Sequence, residues 1–370
     1  MIKRLIVVLL FLLLSGMLFG CVGSGGNNDA SSEEDNSSGN SNSGDAEYQF
    51  KVANVLAESD VSSYGLDKFE ELVEEKSDGN IQVEVLHGGQ LGSGVETFEA
   101  VKNGNLDMAA DSFANLASIT PAFEMFHLPF LFESRDQLLN AIDSEKINQK
   151  INDELAEDNL RWFSTFEIGG PRVIGTSDKK VTSLSDLEGM TFRASRSPLE
   201  IASHEAWGAK GQTVDWPETP EAVRLGMVDG LTVPYASFYS AKFHEGDLIN
   251  YIADVSFQTY ASVTVVNSEK WKELPEDVKN ILTEAEQEAR EWHVDFVGDY
   301  VTKNINEMKD AGVEIYSVSE ENYNEIKEAT KDKVWDEFIG NEGMSQEKLN
   351  LIQEEIGPAE NKDWGYDISG

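Results

Sequence analysis

The period of the apolar positions changes along this chain, and each change marks an element. Over 48–53 apolar and polar side chains alternate, as in a strand, and over 61–76 Leu66, Phe69, Leu72 and Val73 recur at helical spacing. Ser77-Asp78-Gly79-Asn80 is a stop and turn, after which 81–86 alternates again. Gly88-Gly89-Gln90-Leu91-Gly92 reads as a loop, 94–103 as a helix and 106–110 as a third short strand. A second block of the same kind follows from about 170, with strands at 173–176, 191–193 and 228–233 and helices at 199–207 and 217–225. Strands alternating with helices predict βαβ units, largely parallel sheets and an α/β fold. The longest helical stripe starts at Pro275, a residue favoured in a first turn, and runs through Leu282, Ala289, Phe296 and Ile305 to Gly312. At 1.5 Å per residue it is roughly 50 Å long, more than one small lobe can bury, so it should lie along two.

The two ends of the chain add an address. Lys3 and Arg4 precede an unbroken apolar run from Leu5 to Leu14, the layout of an export signal and marginal as a permanent span. Leu18-Phe19-Gly20-Cys21 resembles a bacterial lipobox, in which the Cys is acylated and becomes the new N-terminus; the other reading is an ordinary cleaved signal with an incidental Cys. Cys21 is the only Cys, so no intrachain disulfide forms and the thiol is free for lipid. Residues 21–46 are rich in Gly, Ser, Asn, Asp and Glu, too polar to fold alone, and read as a disordered acidic tether with a reach of about 25–30 Å.

Charge narrows the partners. A formal net charge of −39 excludes nucleic acid and anionic lipid headgroups as binding surfaces, and fits a solvated exterior suited to high salt. Against this background Arg172, Arg193 and Arg196, three of only eight arginines, fall within 25 residues. Arginine stays charged when buried and offers a planar fork to a carboxylate, so the cluster suits an anion; surface ion pairing with the abundant acids is the alternative. The five histidines stand at no paired metal-ligand spacing, and neither a zinc pattern nor a phosphate-loop lysine is present. No catalytic residue, metal or cofactor is expected.

Several motifs together carry a resemblance. Glu188-Gly189-Met190-Thr191-Phe192-Arg193, then Gly208-Ala209, Trp216-Pro217-Glu218, and Val228-Asp229-Gly230 before Pro234 resemble the signature of DctP-type solute-binding proteins of TRAP transporters, without a gap from Arg193 to Glu245. Gly89-Gln90-Leu91-Gly92, Gly104-Asn105-Leu106-Asp107, Leu128-Pro129-Phe130 and Leu274-Pro275-Glu276 extend the likeness over 48–360. The resemblance implies a two-lobed periplasmic-binding-protein-like fold (type II-like) that closes on a small organic acid and delivers it to membrane permease subunits. It implies a lipid-anchored, extracytoplasmic monomer that catalyses nothing. The expected boundaries are 1–20 for the signal and 21–46 for the lipidated Cys and linker. Residues 47–169 plus 258–297 are expected to form lobe I, and 170–257 plus 298–370 lobe II.

Residue by residue, Arg193 resembles the arginine that pairs with the ligand carboxylate, and Arg172 a second cationic contact. Trp216 takes the place of an aromatic lining residue, Ser112 and Asn115 fall where the first lobe offers polar contacts, and Asn54 lies near the end of the first strand. Arg196 has no cationic counterpart in the family. Many members carry an Asn that bonds the ligand carboxylate just before the Pro; Val233 stands here and has no donor, so the clamp must be rebuilt or the ligand differs, and if Val233 faces the cleft that part of the pocket is apolar. Two other classes compatible with such a scaffold are a receptor feeding a chemosensor and an exported enzyme.

Overall fold

The computed structural model describes residues 46–359 and 362–369. The expected signal, Cys21 and nearly all of the tether lie outside the described residues. From Tyr48 the chain lays down β1 (Tyr48–Asn54), α1 (Val61–Lys76), β2 (Ile81–Leu86), α2 (Gly94–Lys102), β3 (Met108–Ser112), α3 (Phe113–Leu116), α4 (Arg135–Asp143), α5 (Glu145–Ala156) and β4 (Leu160–Glu167). It continues with β5 (Arg172–Thr176), α6 (Leu184–Leu187), β6 (Thr191–Ala194), α7 (Pro198–Ala206), β7 (Lys210–Thr213), α8 (Thr219–Arg224), β8 (Gly230–Val233), α9 (Tyr235–Ser240) and β9 (Tyr251–Gln258). Then come β10 (Ala261–Asn267), α10 (Ser268–Glu273), α11 (Glu276–Asp310), β11 (Glu314–Ser317), α12 (Glu320–Phe338) and α13 (Gln346–Ile356).

These elements form two mixed sheets, ordered β2-β1-β3-β10-β4 and β11-β9-β5-β8-β6-β7. Each is parallel but for a single strand: β10 runs against β3 and β4 in the first sheet, and β5 runs against β8 and β9 in the second. Those two strands are the ones that receive the chain from the other sheet, β5 after β4 and β10 after β9. Their direction is set by the crossing and not by a local βαβ unit, which is why the largely parallel expectation misses them. The chain passes from one sheet to the other at 168–171 and returns at 259–260. The first crossing turns on Gly169 and Gly170 at φ +83° and +94°, where a Cβ on Gly169 would come within 2.6 Å of Ala236 Cβ; only glycine is at ease there.

Helix α11 is unbroken over 35 residues, and its buried face changes partners along its length. Val278, Leu282, Ala285 and Ala289 pack with Val52, Leu66 and Phe69 of the first lobe, whereas Val297, Val301, Ile305 and Met308 pack with Val173, Phe238 and Ile252 of the second. One rigid element thus indexes both lobes. Among the described residues no helix is long and apolar enough to cross a membrane. The C-terminal part departs from the expected boundary at 298: β11 joins the second sheet, but α13 packs on α4 and α5 and buries Leu349, Ile352 and Ile356 in the first lobe's cluster. An amphipathic helix of this kind docks wherever an apolar groove is open, and sequence order does not record which lobe offers it.

Candidate functional site

Between the lobes lies a cavity of about 320 Å³, walled by Val55, the Gly88–Gly94 turn and Asn115 on one side and by Arg193, Ser195, Arg196, Val214, Asp215 and Trp216 on the other. Of the residues singled out from the sequence, Arg193, Trp216, Asn115 and Arg196 meet here. Arg172, Ser112, Asn54 and Val233 do not line it.

Arg193 stands one residue before the end of β6, as the sequence pattern places it. The side chain is 4% exposed, its Nε donates to the Val214 carbonyl at 3.0 Å, and its guanidinium carbon lies 5.4 Å from the Trp216 ring centroid. Its Nη1 is buried with no hydrogen-bond partner, and no carboxylate of the described residues forms an ion pair with it. Burial pulls the guanidinium below its ordinary pKa, while Glu200 pushes it back. A buried donor without a partner is costly, and the cost is removed when an acceptor enters the cavity. Arg196 is different in kind: it is exposed at the rim and bonds Asp215 at 3.2 Å.

Arg172 lies behind this surface, fully buried and bound to Glu200 Oε1 at 2.9 Å, with its guanidinium 4.2 Å from the Tyr260 ring centroid. It also donates to the Thr232 carbonyl, and its Nε and Nη2 have no partner. Glu200 is the residue that sequence reasoning missed. It accepts from Arg172, from Ser195 N at 2.9 Å and from Thr232 Oγ1 at 3.2 Å. Burial alone would raise its pKa; Arg172, Arg193 and His204 overcome that and bring it to about 2. The only signal was its place three residues after Ser197, the N-cap of α7, where any acidic chain carries a first-turn Glu. His127 sits against the same group, with Nδ1 2.9 Å from Ser197 Oγ; burial first and Arg172 second push it down to about 3, so it is neutral.

Asn54 is wholly engaged in bracing. Its Nδ2 is 2.8 Å from Ser63 Oγ and 2.9 Å from His87 Nδ1, and its Oδ1 accepts from Leu56 N at 3.2 Å. Its backbone carbonyl accepts from Gly89 N at 3.1 Å, so Asn54 holds the glycine turn that walls the cavity. Ser112 is buried with its Oγ unpartnered. Its backbone N–H donates to Asp111 Oδ1 at 2.6 Å, and Asp111 Oδ2 accepts from Asn115 Nδ2 at 2.7 Å.

The structure corrects the expected place of Val233. It is buried in an apolar cluster with Val61, Val173 and Leu231 and makes no patch in the cleft. Side chains along β8 alternate. The neighbouring Thr232 turns toward Glu200 and His204, which puts Val233 on the core face.

The model of the family described as bacterial extracellular solute-binding protein, family 7 (DctP) matches residues 52–341. The chain belongs to that family. Its relatives include the C4-dicarboxylate-binding protein DctB of Bacillus subtilis, 27% identical over 273 residues, or 73% of this chain and 77% of the relative. A solute-binding protein of Chromohalobacter salexigens is 26% identical over 277 residues, or 74% and 80% of the two chains. Among solved structures, the TRAP periplasmic solute-binding protein of Sulfurospirillum deleyianum with bound succinate superposes with a TM-score of 0.75 at 25% identity, covering 83% of this chain and 99% of that one. A Chromohalobacter salexigens TRAP protein with bound D-glucuronate gives 0.77 at 25% identity, with 83% and 99% covered. As a DctP-family protein the chain has a two-lobed, periplasmic-binding-protein-like α/β fold.

Proposed function

We propose that this protein is the extracytoplasmic receptor of a TRAP-type transporter, which captures a small organic carboxylate between its lobes and hands it unchanged to membrane permease subunits. The observation that carries this is Arg193, a buried guanidinium that lines the interlobe cavity with an unpartnered nitrogen and no ion pair among the described residues, in a chain of net charge −39. A cavity of about 320 Å³ suits a metabolite and not a polymer. Contacts come from both lobes, so the ligand favours the closed state by its differential affinity. The bound carboxylates of the DctP-family structures support the same ligand class.

The receptor is monomeric and tethered through acylated Cys21, whose sequence context, Leu18-Phe19-Gly20-Cys21, supports lipidation. Cys21→Ser is expected to abolish lipid labelling and release the protein from the membrane fraction; unchanged retention would instead indicate an uncleaved N-terminal span. Receptor and exported enzyme are separated by incubating the protein with a stabilising organic acid and weighing what is recovered. A receptor returns the acid unchanged, and turnover into a product of different mass would overturn the proposal.

A further inference from the structure

One buried acid near the cavity has no basic partner. Asp111, on β3 of the first lobe, is 2% exposed and forms no ion pair among the described residues. Its carboxylate is held by Ser112 N at 2.6 Å and Asn115 Nδ2 at 2.7 Å. It packs so closely on α2 that a Cβ on Gly94 would lie 1.7 Å from its Oδ2, so the first residue of that helix has to be glycine. Asn115 and Gly94 line the cavity in front of it. Burial lifts its pKa to about 6, while the hydrogen bonds from Ser112 and Asn115 and the charge of Arg193 act the other way. Both carboxylate oxygens thus accept from N–H groups.

Asp111 Oδ2 accepts from Asn115 Nδ2, so the amide turns its nitrogen to the carboxylate. That leaves Asn115 Oδ1, an acceptor, for the cavity. Among the described residues the opposite wall offers one cation without an ion pair, Arg193; Arg196 is bound to Asp215 at the rim, and Arg172 is bound to Glu200 behind it. A ligand carboxylate thus has one place to go, and the first-lobe wall presents an acceptor backed by a buried negative charge.

We propose that Asp111, acting through Asn115, makes the site select a monocarboxylate that carries a hydrogen-bond donor, a hydroxyl or an ammonium, and reject dicarboxylates. Asp111 is a positioning residue: it fixes the orientation of the amide and sets the sign of the field there. The proposal rests on Arg193 as the carboxylate anchor. A second ligand carboxylate would face the Asn115 oxygen with no donor between them, and an unpaired charge in such a place costs a tenfold or greater loss of affinity.

The test is calorimetry on the full mature chain with acids matched in length, 4-hydroxybutanoate against succinate and gluconate against glucarate. Within the pair that binds more tightly, the hydroxy acid is expected to bind roughly tenfold or more tighter than the diacid. Asp111→Asn removes a buried charge, still accepts from Ser112 N, and frees the Asn115 amide to turn; it is expected to shrink the ratio below about threefold by gaining the diacid. Asn115→Ala removes the acceptor together with one of the two hydrogen bonds to Asp111; it should also shrink the ratio, by loss of the hydroxy acid, and serves as the second variant if Asp111→Asn unfolds. A merely structural Asp111 would lower both affinities and leave their ratio intact. A diacid that binds as tightly as its hydroxy acid in the wild type overturns the selectivity while leaving carboxylate capture standing. Failure of all four acids, and of wider carboxylates, to bind would sink capture and selectivity together.

Discussion

Arg193→Ala is expected to weaken ligand binding by roughly 10²–10³-fold or more while leaving the fold intact. The side chain makes one hydrogen bond in the free protein, from Nε to the Val214 carbonyl, beside its stacking over Trp216, and its Nη1 has no partner. Little of the unliganded structure therefore depends on it. In the proposed complex it would pair with a desolvated carboxylate, and removing one member of such a pair typically costs about 3–5 kcal/mol, because the other charge is left uncompensated. At 1.4 kcal/mol per decade this gives the loss quoted. Arg193→Lys is expected to recover only part of it, since an ammonium cannot reproduce the planar fork and loses the stacking over Trp216. Calorimetry with a stabilising acid, beside thermal unfolding of the free variant, separates the two effects. A well-folded Arg193→Ala protein that binds within threefold of wild type would leave the cavity without its anchor.

Glu200→Ala is expected to act in the opposite way, on the fold before the ligand. It leaves Arg172 fully buried with only the Thr232 carbonyl and the Tyr260 ring for company, and it strips Ser195 and Thr232 of an acceptor. Breaking a buried pair from one side costs about 3–5 kcal/mol, a large fraction of a typical domain's stability. The pH dependence follows from the sign of the shift. Glu200 is held at about 2, below its ordinary value, so its contribution is fully present above the usual carboxylate range and is lost as pH falls through about 2. The stability gap between wild type and variant should be widest near neutrality and close on acidification, as read by denaturant titration at several pH values. A variant as stable as wild type at pH 7 would mean that Arg172 finds compensation elsewhere.

Much of the architecture is legible in the sequence because it rests on periodicity. The α1 stripe of Leu66, Phe69, Leu72 and Val73, the alternation of β2 and the 35-residue α11 are read within a residue or so of their observed ends. Strand direction is not encoded in alternation, so the reversal of β5 and β10 emerges only from the two crossings. The helix expected over 217–225 opens instead as a 3-10 turn at Trp216–Glu218 before α8, which lets the Trp216 ring lie against the cavity.

The site shows the same limit. Arg193, Arg196, Asn115 and Trp216 could be nominated from residue type and resemblance, and the fold brings them to one cavity. Glu200 and Asp111 could not, because among 68 acidic residues a first-turn Glu and a strand-end Asp do not stand out. What distinguishes them is burial, which only the packed structure assigns. Val233 fails for a related reason: a departure from a family's usual residue says nothing of the direction its side chain takes, and one step along β8 separates the polar face from the core.

Carboxylate capture is tested most directly by thermal shift with pairs of organic acids and their primary amides. The two members of a pair have nearly the same shape and differ in the charge that Arg193 is there to meet. A ligand present at 1,000 times its Kd stabilises by about 4.1 kcal/mol. The expected result is at least one acid that raises the melting temperature by several degrees while its amide leaves it unchanged. An amide that stabilises the protein as much as its acid would contradict carboxylate capture by Arg193.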